Sequence, residues 1–159
     1  MTASATAATR PPDVALLFTG EDSEDADAGR ELYETQPAFR RAFDRCAAAQ
    51  SPLFATQFAL AELWRSWGVV PTSVLGTGVG EFVAACIASV FTVDDAVKLV
   101  AARGSVEQFD AIARQITFKA PQIGIVASQT GKFVSAGDIS NPTYWRRQDR
   151  RIRERLRGD

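Results

Sequence analysis

The sequence predicts an α/β layer built on a mainly parallel sheet, and three observations carry that expectation. Short apolar runs recur at "VALLF" (14–18), "SVLG" (73–76) and "IGIVAS" (123–128), each of strand length. Segments of helical period lie between them, an alternation that a parallel sheet with crossover helices produces. At 74–90, "VLGTGVGEFVAACIASV" runs from a strand through closely spaced glycines straight into a helix.

In chain order, "MTASATAATRPP" (1–12) is small and polar and reads as a flexible leader. "VALLF", closed by Gly20, is continuously apolar, as expected of a strand covered on both faces. "EDSEDAD" (21–27) is an acidic loop. A helix is expected to begin near Pro37, since proline suits the first helical turn, and to run through "AFRRAFDRCAAA". A second helix, 52–68, opens on Pro52 and stops at Gly68. On it Leu53, Leu60, Leu63 and Trp67 form an apolar stripe, widened by Phe54, Phe58 and Trp64, that reads as core.

After the strand at 73–76, residues 80–89 continue as a helix. Thr92 and Asp95 make a capping-box-like start for "VDDAVKLVAARG", which ends at Gly104. "FDAIARQITF" (109–118) is a helix or an extended link. "QTGKF" is a hairpin-like turn leading to a strand that ends near Val134. A last helix from Asn141 grows basic, with seven arginines between Arg146 and Arg157. The divisions are a leader (1–12), an α/β domain (13–145) and a basic terminal helix or linker (146–159).

Bulk properties narrow the functional classes. The 159 residues fit one domain, and 46% hydrophobic content suffices for a core. A net charge of −1 gives no global attraction to nucleic acid or anionic membrane. No apolar run approaches the roughly 20 residues of a membrane span, so a cytoplasmic, soluble protein is expected. Cys46 and Cys86 lack C-x-x-C spacing and read as buried free thiols in a reducing compartment. The chain contains no histidine, which removes the commonest general base near neutral pH and any zinc site of the histidine type. No metal and no cofactor is expected.

The turn at 76–80 is where a serine normally sits in a G-x-S-x-G elbow, yet its centre is Gly78 and the preceding residue is Thr77. The glycines follow G-x-G-x-G, not the G-x-G-x-x-G of a dinucleotide-binding turn. Thr77, Ser73, Ser23 and Ser128 carry hydroxyls, but no histidine is available to any of them. Lys98, Lys119 and Lys132 are poorly placed by sequence.

The segments "VALLFTG", "GRELYETQPAFRRAFDRCAAA", "LFATQFALAELWRSWGVVPTSVLG", "GEFVAACIASVFTVDDAVKLVAARG", "ITFKAPQIGIV" and "NPTYWRR" are collinear. Together they resemble the acyltransferase domain of modular polyketide synthases, related to the malonyl-CoA:acyl carrier protein transacylases. The resemblance implies the large α/β-hydrolase-like subdomain of that fold. It also implies a ping-pong transfer in which an elbow serine takes a malonyl-type group from coenzyme A and passes it to a carrier protein. A histidine activates the serine, and an arginine holds the free carboxylate.

Carried over residue by residue, the serine position is Gly78, the elbow histidine position Thr77 and the arginine Arg103. The loop glutamine becomes Glu21, the asparagine Ser128, and the histidine after "YWRR" Gln148. The oxyanion donors are the backbone N–H groups of Glu21 and Val79. The family's ferredoxin-like small subdomain, with its catalytic histidine, is missing, because "GSVEQ" (104–108) runs straight into "FDAIARQITF". A smaller gap lies where "RCAAA" meets "QSPLFA".

The expectation is therefore a shortened, degenerate acyltransferase-like domain, catalytically inactive and structural or interactional in role. Two alternatives stay open: an acyltransferase completed by a partner chain, and a binding module using the basic tail. Arg103 either grips a malonyl carboxylate or complements a helix end and the acidic loop. That loop would repel anions within a Debye length of about 8 Å. Expected partners are a carrier protein or neighbouring synthase domains, with no membrane, no nucleic acid, and self-association through apolar surface left uncovered.

Overall fold

Three parallel strands, β1 (Ala15–Phe18), β2 (Ser73–Gly76) and β3 (Gly124–Ala127), form one sheet in the order β1-β2-β3. The structure, a computed structural model, describes residues 11–20 and 29–148. Residues 1–10 of the leader, the acidic loop with Glu21, and the basic stretch after Gln148 lie outside the described residues. So does the side chain of Gln148.

Local signals place the helices. Pro37 opens α2 (Pro37–Arg45) and Pro52 opens α3 (Pro52–Ser66), each in the first turn, where a missing N–H costs no hydrogen bond. Ahead of them α1 (Arg30–Thr35) occupies "RELYET", a helix not read from the sequence. Ser51 caps α3 by accepting from the Phe54 N–H at 3.3 Å. Gly68 stops it with φ +88, as expected of a left-handed C-terminal glycine. The elbow helix is α4 (Gly80–Ile87). Thr92 caps α5 (Val93–Ala101), accepting from the Asp95 N–H at 3.1 Å and donating to the Asp95 carboxylate at 2.8 Å.

The stretch from Gly104 to Phe118 holds α6 (Val106–Ala113) and a short link, with no second sheet. Ser105 starts that helix, accepting from the Gln108 N–H. The link does not gape. Phe109 is wholly buried, edge-on to Phe82 of α4 at 6.2 Å. Trp145 closes the same cluster against Phe82, Phe91 and Phe118, and its indole N–H donates to the Ile139 carbonyl at 2.9 Å. Trp145 lies on α8 (Pro142–Gln148), preceded by the single turn α7 (Ala136–Ile139). Since α8 runs on to Gln148 and Arg146 pairs with Asp110 at 3.0 Å, the boundary drawn after residue 145 falls inside a helix.

Three expectations are corrected. The strand expected to end near Val134 reduces to one antiparallel bridge, Val126 to Phe133. The α3 stripe is fully buried at Phe54, Phe58 and Leu63, and Leu53 and Leu60 pack partly buried against the core. Trp64 and Trp67 pack edge-on to each other in solvent, because the end of α3 projects past the layer it covers. Finally, β1 is covered on one face. Phe18 is buried, while Leu17, on the other face, is 70% exposed. No described helix is long and apolar enough to cross a membrane.

Candidate functional site: a strand–elbow–helix without a nucleophile

The site is built by β2 turning into α4. The Thr77 N–H donates to the Phe18 carbonyl at 3.0 Å, extending the β1–β2 ladder by one rung. Gly78 then takes φ +54, the left-handed region, and Val79 enters helical geometry at φ −62, ψ −27. The N–H groups of Gly80 and Glu81 return to the carbonyls of Thr77 and Gly78 at 2.9 and 3.2 Å. A turn this tight leaves no room for side chains on its inner side. A Cβ at Gly76 would collide with the Gly80 carbonyl, and one at Gly80 would lie 2.6 Å from the Phe18 carbonyl group. The elbow is thus intact as a backbone object.

Gly78 has no side chain, and Thr77 beside it is exposed at the top of the sheet. Val79 is buried, and among the described residues its N–H makes no backbone hydrogen bond. Glu21, the second oxyanion position, lies outside the described residues.

Arg103 sits one helix away, in the 3-10 turn Ala102–Gly104 that ends α5, and is 4% exposed. Its Nε donates to the Val100 carbonyl at 3.4 Å, so part of the guanidinium serves the last turn of its own helix. The structure brings Thr77, Gly78 and Val79 together in one turn and places Arg103 in the 3-10 turn after α5.

Two buried polar residues escaped the sequence reading. Glu81, in the first turn of α4, is 7% exposed and accepts from the Ser128 hydroxyl at 2.7 Å. Ser128 lies just past β3, and the bond ties the ends of β3 and α4 together. Near them burial pushes the Tyr144 phenol well above its ordinary range, and the charge of Glu81 adds to the effect. The second residue is Gln57 on α3. Its amide clamps the backbone of Thr19, accepting from the N–H at 2.8 Å and donating to the carbonyl at 2.9 Å. For Glu81 the available signal was a single acid in the otherwise apolar run "GEFVAACI"; Gln57 has no such signal, since Thr56 and Glu62 share its helix.

Both cysteines are free thiols. Burial pushes the Cys46 thiol up to about 12 and that of Cys86 well above its usual value, so neither is poised as a nucleophile. Among the described residues no cluster of histidine, cysteine or acidic side chains could hold a metal ion.

A parallel sheet whose middle strand turns through a left-handed glycine elbow into a buried helix defines an α/β architecture of the strand–elbow–helix kind. Comparison with known proteins makes the family specific. Residues 42–117 match the acyl transferase domain model. The spectinabilin polyketide synthase system protein NorC of Streptomyces orinoci is 30% identical over 83% of this chain. The acyltransferase domain of the second module of the salinomycin polyketide synthase superposes with a TM-score of 0.73, at 24% identity, over 84% of this chain and 56% of that one. The acyl transferase domain of ZmaA gives 0.76, at 21% identity, over 96% and 63%. The chain belongs to the acyltransferase domain family of polyketide synthases. It spans only 7% of the length of NorC.

Proposed function

We propose that this chain is an acyltransferase-type domain without catalytic competence, acting as a structural or interacting element beside other synthase domains in the cytoplasm. One observation carries the reading: Gly78 occupies the apex of a fully formed elbow with φ +54 and no attacking atom. Acyl transfer by covalent catalysis needs a nucleophile, a base that takes its proton, and oxyanion donors. Among the described residues the Val79 N–H is the candidate for the third requirement. The sequence holds no histidine to act as base. Loss of the nucleophile in a serine-type triad lowers turnover on the order of a millionfold.

The family's substrate would be a malonyl-type coenzyme A thioester and its acceptor a carrier protein, with no cofactor required. In this reading Arg103 does not select the substrate; it closes α5. The experiment is incubation of the chain with radiolabelled malonyl-CoA and a holo carrier protein, read by gel and by intact mass. The expected result is no acyl adduct on the chain and no label on the carrier. A malonyl adduct on the chain alone overturns the proposal. Label that reaches the carrier only when neighbouring synthase domains are added would instead define an acyltransferase completed by a partner chain.

A further inference from the structure

Past the end of β3 the chain folds back as a hairpin, and between that hairpin and the pair α7–α8 lies a cleft of about 580 Å³. A volume of that size is in the range of small-molecule sites. None of Thr77, Gly78, Val79 or Arg103 lines it, so the cleft stands apart from the elbow. Main-chain bonds fix the hairpin: the Ala127 N–H donates to the Lys132 carbonyl at 2.9 Å, and the Val134 N–H to the Ile125 carbonyl at 2.8 Å. Lys132 and Phe133 line the cleft from the hairpin, and Thr143, Tyr144 and Arg147 line it from α8.

The polar groups left over in this cleft are donors. Among the described residues, the Lys132 ammonium and the Arg147 guanidinium have neither an ion pair nor a hydrogen bond. The Thr143 and Tyr144 hydroxyls are unused as well, since the bond from Thr143 to Asn141 employs the backbone N–H. Burial raises the Tyr144 phenol well above its ordinary range, with the charges of Glu81 and Asp138 adding to the effect, so the hydroxyl keeps its proton. Asp138, the acid in the lining, is engaged locally. Its carboxylate accepts from the Ser135 hydroxyl at 2.7 Å, while that hydroxyl caps the Asp138 N–H at 3.1 Å. Phe133 adds an aromatic wall: its ring lies against Gly124, where a Cβ would collide with it, and is otherwise 69% exposed.

We infer that this cleft binds a small organic oxyanion carrying an aromatic ring, the anion held by Lys132 and Arg147 and the ring by Phe133 and Tyr144. A guanidinium presents a planar fork that suits a carboxylate or a phosphate ester, and an ammonium adds a point charge. Offset or edge-on ring contacts supply the apolar part of the recognition. Both cations are exposed, so the attraction is screened by salt and the affinity is modest.

Titration of the full, isotope-labelled chain with phenyl phosphate and, separately, with benzoate tests this through amide chemical shifts. At low ionic strength at least one should saturate with a Kd of about 1 mM or tighter, an ordinary efficiency for ligands this small. The tighter of the two identifies the oxyanion. Shifts should centre on Lys132, Phe133 and Tyr144, and raising the salt about tenfold should weaken binding at least about threefold. Lys132→Ala, Arg147→Ala and Phe133→Ala change exposed side chains and keep the fold; each should weaken binding at least about threefold. Lys98→Ala, on α5, should leave it unchanged. No saturation by either probe below about 20 mM, equal binding of benzyltrimethylammonium, or an affinity unmoved by Lys132→Ala or by Arg147→Ala overturns the inference.

Discussion

The Ser128 hydroxyl donates to a Glu81 carboxylate oxygen at 2.7 Å, joining residues 47 apart in sequence. Glu81 is buried on α4 and Ser128 sits at the tip of β3, so this bond pins the outgoing end of the sheet to the elbow helix. Removing the hydroxyl takes a donor from a buried acid. Ser128→Ala should cost about 1–3 kcal/mol in urea unfolding with unchanged secondary structure by circular dichroism. Ser128→Thr, which keeps the hydroxyl, should recover most of the loss.

The elbow tolerates no side chain on its inner wall. In Gly76→Ala the new Cβ meets the Gly80 carbonyl and the Glu81 N–H, backbone atoms that cannot swing aside. The expected cost is about 3 kcal/mol or more, enough to leave much of the protein unfolded. Gly137→Ala is the control, because a Cβ there has nothing within 4 Å and lies in α7. It should be neutral or stabilising by up to about 1 kcal/mol in the same melting experiment.

Gly78→Ser puts a hydroxyl at the apex of the elbow. The left-handed φ of +54 makes a serine there cost about 1–2 kcal/mol in stability. No turnover should follow, because a base is still lacking. Intact mass after incubation with malonyl-CoA should show no stoichiometric adduct. Steady-state transfer by this single variant would show that the fold supplies a proton acceptor other than histidine.

Cys46 gives the stability a pH signature. Its thiol ionises near 9.0 in its unperturbed state but, desolvated in the fold, only near about 12. Below about pH 8 both states keep the proton and no slope arises. Between about 9 and about 12 the unfolded chain binds fewer protons than the folded one, so stability falls as pH rises. Cys86, shifted the same way by burial, adds to that fall. Urea midpoints at about pH 7 and about pH 10.5 should separate more for the wild type than for Cys46→Ala. Reaction of Cys46 with a thiol reagent at about pH 8 should be slow until denaturant is added.

Much of the element map was legible because its causes are local. Pro37, Pro52, Gly68 and the Thr92–Asp95 pair act on backbone groups within four residues, so their meaning survives without tertiary context. The α1 helix at Arg30–Thr35 was missed because "RELYET" buries no residue fully and lacks a side-chain cap. The exposed pair Trp64 and Trp67 was misread because helical spacing shows which residues share a face. It does not show how far the layer beneath that face extends.

The amino-acid identities alone determined that position 78 is a glycine and that the chain carries no histidine. They also determined where the chain turns, through residues whose preferences are settled by their immediate neighbours. Only the tertiary structure decided which surfaces are covered: that Gln57 clamps Thr19, that Glu81 meets Ser128, and that Leu17 faces solvent while Phe18 does not. The physical reason is that burial depends on what distant segments bring to a face. An apolar strand reads the same whether one layer packs against it or two.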